Sequence, residues 1–316
     1  MASIPDRKEG KYKDAKVVIY AGLDNAGKTS INLVVKENIV NIGFIKPTQL
    51  VNRSTFQYLD FEIVEYDMGG QKNYIISYFK EPGKYFSEVD ALIFVIDVQD
   101  GDRIEEAVLY FKDILTQFDA FNIKPKIYVF FHKAERIMFN SYEVDKANME
   151  EAKQLLLNVN KERFPIDFQL TSIMDVWSIT RTFAMIMNDL YPLDELIKDR
   201  LNNMAITLDA SVIVLIDDHM LPIMDNIRNK QSAELIKASA PNIYMLKQSL
   251  DRLGKNQSKM LTVLWEGLEF ILMALPDAPI KLFLLLIGKR GSFKVYQVEQ
   301  EVVALAPQIY KLLKLT

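Results

Sequence analysis

The sequence predicts an α/β chain: a doubly wound, mostly parallel sheet followed by a smaller α/β domain with an antiparallel sheet. Three observations carry that expectation. An apolar run at 17–21 leads through Gly22-Leu23-Asp24-Asn25-Ala26-Gly27-Lys28-Thr29 into a helix-spaced stretch. Continuous apolar runs, of the kind buried on both faces of a parallel sheet, then alternate with helical patterns up to residue 170. After Tyr191-Pro192 the order becomes helix, two strands, helix, three strands, helix.

Taken in order, residues 1–15 are polar, of mixed charge, and read as a leader. The first domain spans 16–192. Residues 17–21 form a strand, and a helix follows the glycine-bounded loop to about Lys36. Strands at 55–59 and 61–66 are joined by a tight turn at Asp60. Residues 91–96 are a buried strand, and Asp102 with Glu105 reads as a capping box for the next helix. A strand at 127–131, a polar helix at 147–158 and a strand at 168–170 complete the alternation. Ligand chemistry in such a sheet sits at the carboxyl ends of its strands, where Gly22, Asp67 and His132 fall.

The second domain covers 193–316. It opens with a helix at 193–205 and strands at 211–216 and 221–224. A helix begins at Pro241 and carries Ile243, Leu246, Leu250 and Leu253. Strands near 260–266, 268–275 and 280–287 follow. A last helix has Val295, Val298, Val302, Leu305, Ile309 and Leu312 on one stripe, with Pro307 expected to kink it.

Composition narrows the function. Of 316 residues, 49% are hydrophobic and 25% charged, which suits about two soluble globular domains. A net charge of -4 gives no global pull toward nucleic acid or anionic lipid. The absence of cysteine excludes disulfides, thiolate metal sites, prenylation and palmitoylation. Ala2 stands where N-myristoylation needs glycine, and the apolar run at 282–287 is far too short to span a bilayer. The expectation is a cytoplasmic protein that reaches membranes only through partners.

The chemistry concentrates in four places. Gly22, Asp24, Asn25, Ala26, Gly27, Lys28, Thr29 and Ser30 fit a phosphate loop. Its amides and Lys28 hold phosphates, and the Thr29 hydroxyl ligates Mg²⁺. Asp67-Met68-Gly69-Gly70-Gln71 follows a strand. Asp67 there holds Mg²⁺ through water, the Gly70 amide meets a γ-phosphate and Gln71 orients the attacking water. Pro47-Thr48 lies in the loop between the first helix and the second strand, and Thr48 offers its hydroxyl to the same ion. The base-reading position carries His132-Lys133-Ala134-Glu135. Glu135 there supplies a bidentate carboxylate for guanine, Lys133 stacks its stem on the ring and His132 braces the loop. Amides of Thr171-Ser172-Ile173 face guanine O6. Asp217-Asp218-His219 resembles a metal cluster in composition, but three consecutive turn residues do not converge on one ion.

With these motifs the chain resembles Arf-type Ras-superfamily GTPases in its phosphate loop and in Asp67-x-Gly69-Gly70-Gln71. His132-Lys133 and Thr171-Ser172-Ile173-Met174-Asp175 resemble the Rag/Gtr family in particular. The resemblance implies a Ras-like P-loop NTPase G domain followed by a roadblock (longin-like) domain. It further implies GTP/GDP and Mg²⁺ as ligands, Lys28 and Gln71 as catalytic groups, and slow hydrolysis without an activating partner. Homo- or heterodimerisation through the roadblock domain, roadblock scaffolds, GTPase-activating and exchange proteins, and a role in nutrient control of growth follow in the same way. The chain departs from that family in two respects: Glu135 replaces aspartate, and the phosphate loop is Arf-like. Two other functions fit parts of the sequence. A nucleotide-binding scaffold subunit with little turnover accommodates Glu135. A small-molecule P-loop kinase accommodates the phosphate loop but not Gly70-Gln71 or the second domain.

Overall fold

The computed structural model describes residues 15–36, 48–59, 61–140, 142–193, 195–218, 221–227, 230–252, 259–277 and 280–313. They divide into two compact units, 1–182 and 183–316, with the division inside a helix upstream of Tyr191-Pro192. The leader, Pro47, the turn at Asp60, His219 and Leu253 lie outside the described residues, Ala15 of the leader excepted.

The first unit is built on a six-stranded sheet in the order β2-β3-β1-β4-β5-β6. Its strands are β1 (Lys16–Ala21), β2 (Val51–Tyr58), β3 (Phe61–Met68), β4 (Ala91–Asp97), β5 (Lys126–His132) and β6 (Ile166–Leu170). All neighbours are parallel except β2, which is antiparallel to β3. The doubly wound expectation therefore holds. The interior strand β4 is buried from Ala91 to Ile96, the reason its sequence is apolar without alternation.

The helices of this unit are α1 (Lys28–Val35), α2 (Lys72–Lys80), α3 (Gly83–Phe86), α4 (Ile104–Ala120), α5 (Glu135–Asn140), α6 (Glu143–Asn160) and α7 (Val176–Leu190), which crosses into the second. Helix α4 buries Ile104, Ala107, Val108, Phe111, Ile114, Leu115 and Phe118 at helical spacing, and Phe111 meets Phe94 of β4 edge-on at 5.0 Å.

Several sequence expectations need correction. The Asp102–Glu105 capping box does not form. Residues Gly101–Arg103 make a 3₁₀ turn, and α4 starts after Arg103 without a side-chain cap. Strand β3 continues through Asp67 and Met68, because Asp67 still pairs with Asn52 of β2 and Tyr20 of β1. Strand β2 begins at Val51, β6 at Ile166, and α6 extends beyond 147–158 at both ends. Helices α2, α3, α5 and α7 were not expected. The α2 sequence, Lys-Asn-Tyr-Ile-Ile-Ser-Tyr-Phe-Lys, buries only Tyr78 fully and carries strand-favouring residues. It is anchored by the Tyr78 hydroxyl, which donates to the carbonyls of Leu50 and Gly69.

The second unit holds a five-stranded, wholly antiparallel sheet in the order β8-β7-β11-β10-β9. The strands are β7 (Val212–Asp217), β8 (Pro222–Ile227), β9 (Met260–Trp265), β10 (Leu268–Ala274) and β11 (Leu282–Lys289). Its remaining helices are α8 (Glu195–Thr207), α9 (Lys230–Arg252) and α10 (Val295–Leu312). Helix α9 starts well before Pro241, and its first part buries Ile236 and Ala240. Helix α10 contains Pro307 and buries Val298, Val302, Leu305 and Ile309, whereas Val295 is exposed. Small α/β with an antiparallel sheet is thus the observed class.

Candidate nucleotide site

Strand β1 delivers the chain to Gly22, and α1 begins at Lys28 with Gly27 as its first flanking residue. Gly27 has φ +99°, a left-handed conformation that L side chains rarely adopt. A Cβ there would also stand 2.4 Å from the His132 ring. The Lys28 ammonium folds over this loop and donates to the carbonyls of Gly22 at 2.9 Å and Leu23 at 2.7 Å. Burial lowers its pKa to about 8, partly opposed by the charges of Asp67 and Asp24.

Three oxygens meet beside Lys28. Thr29 Oγ1 lies 2.7 Å from Asp67 Oδ2 and 2.9 Å from Thr48 Oγ1, and Thr48 Oγ1 lies 3.2 Å from Asp67 Oδ2. Asp67 is buried, and its second oxygen, Oδ1, is buried without a hydrogen-bond partner among the described residues. Burial raises the Asp67 pKa, with Thr29, Lys28 and Thr48 pulling the other way.

The segment after β3 closes against the phosphate loop. The Asp24 amide donates to the Gly70 carbonyl at 3.1 Å, and a Cβ on Gly70 would meet Asp24 N at 2.2 Å. Only glycine permits that approach. Gln71 flanks the start of α2, and its carbonyl accepts the amides of Tyr74 and Ile75. A cavity of about 270 Å³ results. It is lined by Asp24, Asn25 and residues 27–30, by Thr48, by 69–71 and by Lys133.

The second cluster lies at the carboxyl ends of β4 to β6. His132 is buried, and its Nδ1 lies 3.0 Å from Thr171 Oγ1. Burial, with help from the Lys133 charge, lowers its pKa to about 4, so the ring is neutral near pH 7. This geometry ties the phosphate loop to the loop after β6. The Lys133 ammonium pairs with Asp97 Oδ2 at 2.6 Å.

Glu135 is the first residue of α5. Its Oε2 accepts the Ser172 hydroxyl at 2.6 Å, and its Oε1 accepts Gln99 Nε2 at 2.8 Å. Burial alone would raise its pKa, but the Ser172 hydroxyl, its own amide and the Gln99 amide outweigh that and hold it below the usual carboxylate value. The amides expected to face O6 are partly engaged within the chain: Thr171 N–H donates to Phe131 O, and Ser172 N–H to Ser178 Oγ. The Ser178 hydroxyl satisfies the buried loop and takes the Ser172 amide out of play. The amide of Ile173 is the next along the loop.

Scanned against protein-family models, residues 17–235 match the Gtr1/RagA G protein conserved region. The chain belongs to the Gtr1/RagA family. This Gtr1/RagA protein is also similar to the ADP-ribosylation factor-like protein 2 of Dictyostelium discoideum, 37% identical over 111 residues. The ADP-ribosylation factor-like protein 3 of Chlamydomonas reinhardtii is 36% identical over 111 residues. Each alignment covers 35% of this chain, and this chain spans 57% of either relative's length. Among solved structures, Arl6 (BBS3), a small GTPase of Trypanosoma brucei solved with bound GppNp, gives a TM-score of 0.44 and 19% identity. That match covers 56% of this chain and 97% of the other.

Three residues of the candidate site were not anticipated: Asp97, Gln99 and Arg103. The Arg103 guanidinium pairs with Asp24 Oδ1 at 2.8 Å and with Glu106 at 2.9 Å. All three lie at or just beyond the carboxyl end of β4, and the strand-end rule applied to β4 as well as β1, β3 and β5 would have pointed to them. A further buried group, Glu65 of β3, accepts Tyr20 and Asn32 and pairs with Lys36 at 2.6 Å, fastening β3 to β1 and α1. Of the other candidates, Asp217 accepts the Leu221 amide. Among the described residues, no three His, Cys, Asp or Glu side chains gather as a metal site. No helix among them is long and apolar enough to cross a membrane.

Proposed function

We propose that this protein is a magnesium-dependent guanine-nucleotide switch that hydrolyses GTP slowly to GDP and phosphate. The observation that carries the reading is the grouping of Lys28, Thr29, Thr48 and Gln71 around one cavity, with Asp67 bonded to both threonines. Two hydroxyls and one carboxylate, with a buried carboxylate oxygen left without a partner among the described residues, are a hard-oxygen set that suits Mg²⁺. Thr29, Thr48 and Asp67 would hold Mg²⁺, and the ion would offset the negative charge of the triphosphate.

Lys28 exchanges its two neutral carbonyl acceptors for phosphate oxygens, a gain for an ammonium held in a dry site. The Gln71 carboxamide orients the water that attacks the γ-phosphorus. Glu135 receives guanine N1–H and N2–H, and the Ile173 amide faces O6. The Lys133 stem lies against the ring. Hydrolysis is slow without an activating partner, which supplies an arginine worth on the order of 10³–10⁵ in rate.

By resemblance, the second unit is a roadblock-type dimerisation domain. Exposed Leu264 and Trp265 on the outermost strand β9 support a partner on that unit. Homo- or heterodimerisation, roadblock scaffolds, exchange and activating proteins, indirect membrane recruitment from the cytoplasm and nutrient or growth signalling belong to the same proposal. A non-hydrolysing scaffold subunit is the second reading, favoured by the longer Glu135 arm at the base position. Single-turnover hydrolysis separates them. Gln71→Leu retains GTP binding and loses turnover on the first reading, and unchanged turnover in that variant contradicts it.

A further inference from the structure

Glutamate at position 135 is one methylene longer than the aspartate of the resembling family, and a longer arm has one more rotatable bond to fix. The structure shows how it is fixed. Its two oxygens are tethered from different loops, Oε2 by the Ser172 hydroxyl and Oε1 by Gln99 Nε2. Gln99 is itself held: the same Nε2 donates to Lys133 O at 2.8 Å. Two acceptors at 2.8 Å from one atom require both hydrogens of an NH₂ group, so the amide's orientation is decided by its surroundings. The Gln99 backbone is tied down as well, its amide donating to Asp97 Oδ1 at 3.0 Å. That same Asp97 holds the Lys133 ammonium.

We propose that Gln99 is a specificity-determining positioning residue that draws back the long Glu135 arm and sets its carboxylate to receive the N1–H and N2–H pair of a guanine base. The inference rests on the guanine-nucleotide reading of this site. An ionised carboxylate offers about four lone-pair sites. Ser172 and Gln99 each hold one of the two oxygens, and the lone pairs that the tethers leave open are those that meet the base. Without Gln99, Oε1 is released, the arm rotates about its extra bond, and the paired contact gives way to a single one. The loss falls on the nucleotide that uses both donors.

Titration of the full chain with GTP, ITP and ATP in the presence of Mg²⁺ tests this, because ITP lacks the 2-amino group and keeps N1–H. Wild type is expected to prefer GTP over ITP. Gln99→Ala is expected to reduce that preference by roughly threefold to tenfold, with ITP affinity changed little. Gln99→Asn, which retains an amide too short to reach Glu135, is expected to do the same. In a Glu135→Asp background the amide at 99 no longer reaches the carboxylate, so Gln99→Ala should leave the GTP-to-ITP ratio unchanged. Equal weakening of GTP and ITP by both Gln99 variants overturns the inference and leaves Gln99 as a packing residue, with the guanine reading intact. Wild-type affinity for ATP equal to that for GTP overturns the guanine reading itself.

Discussion

The His132 ring fills the space beside Gly27, 2.4 Å from where a Cβ on that glycine would stand. Because the same ring reaches Thr171, a neutral imidazole braces the phosphate loop against the loop after β6. Its pKa in the fold is about 4, against an ordinary 6.5. The unfolded chain therefore binds the proton first. This residue's stabilisation is complete above pH 6.5 and is lost as pH falls toward 4, to a total of roughly 3 kcal/mol. Denaturant unfolding from pH 7 to pH 4 should show that acid limb, and His132→Asn should flatten it. An unchanged slope in the variant contradicts the account of this ring.

Lys28 predicts an opposition between stability and binding. Its depressed pKa means that the nucleotide-free fold carries a cost at neutral pH. That cost is constant below about 8 and relieved as pH rises toward 10.5, where the fold sheds a proton that the unfolded chain retains. Lys28→Met should stabilise the nucleotide-free protein by roughly 1–3 kcal/mol at pH 7. It should also abolish the rise in melting temperature that GTP gives the wild type. Thermal melts with and without nucleotide read both effects.

The Thr29–Asp67–Thr48 cluster predicts magnesium dependence. Chelation by EDTA should speed nucleotide release from the wild type by more than about tenfold, given the charge the ion offsets. Thr29→Val and Asp67→Asn should bind more weakly and show a much smaller EDTA effect. Equal EDTA effects in wild type and both variants would remove these side chains from the metal site.

Arg103 and Asp24 form a half-exposed pair, so its loss should change stability by no more than about 0.5 kcal/mol. Binding is different, because Asp24 lines the cavity and its carboxylate opposes a triphosphate once unpaired. Arg103→Ala should weaken GTP more than GDP, by roughly threefold, since the extra phosphate is the extra charge. Asp24→Ala in the same protein should restore the ratio. Competitive titration of the two nucleotides checks both.

Much of this was legible in the sequence because the phosphate loop, Asp67 and Gly70 are contiguous motifs with short-range geometry. The apolar runs of β4 and β5 likewise announce a sheet covered on both faces. What was hidden depends on separation. Gln99 meets Glu135, and Arg103 meets Asp24, across crossovers that no local pattern encodes. Helix α2 was missed because Tyr78 is held by distant carbonyls of Leu50 and Gly69, and tertiary hydrogen bonds override a strand-like local preference. The capping box at Asp102 failed because of where the helix starts. Gly101–Arg103 turn in 3₁₀ geometry, so the helix begins after Arg103 and Asp102 does not stand at its cap position.

Calorimetric titration of the nucleotide-free chain with a non-hydrolysable GTP analogue and Mg²⁺, wild type beside Lys28→Ala, reaches the centre of the account. One analogue bound per chain by the wild type, with at least about tenfold weaker binding by the variant, is the predicted result. Binding of equal strength in the two proteins, or no binding to the wild type, would contradict it.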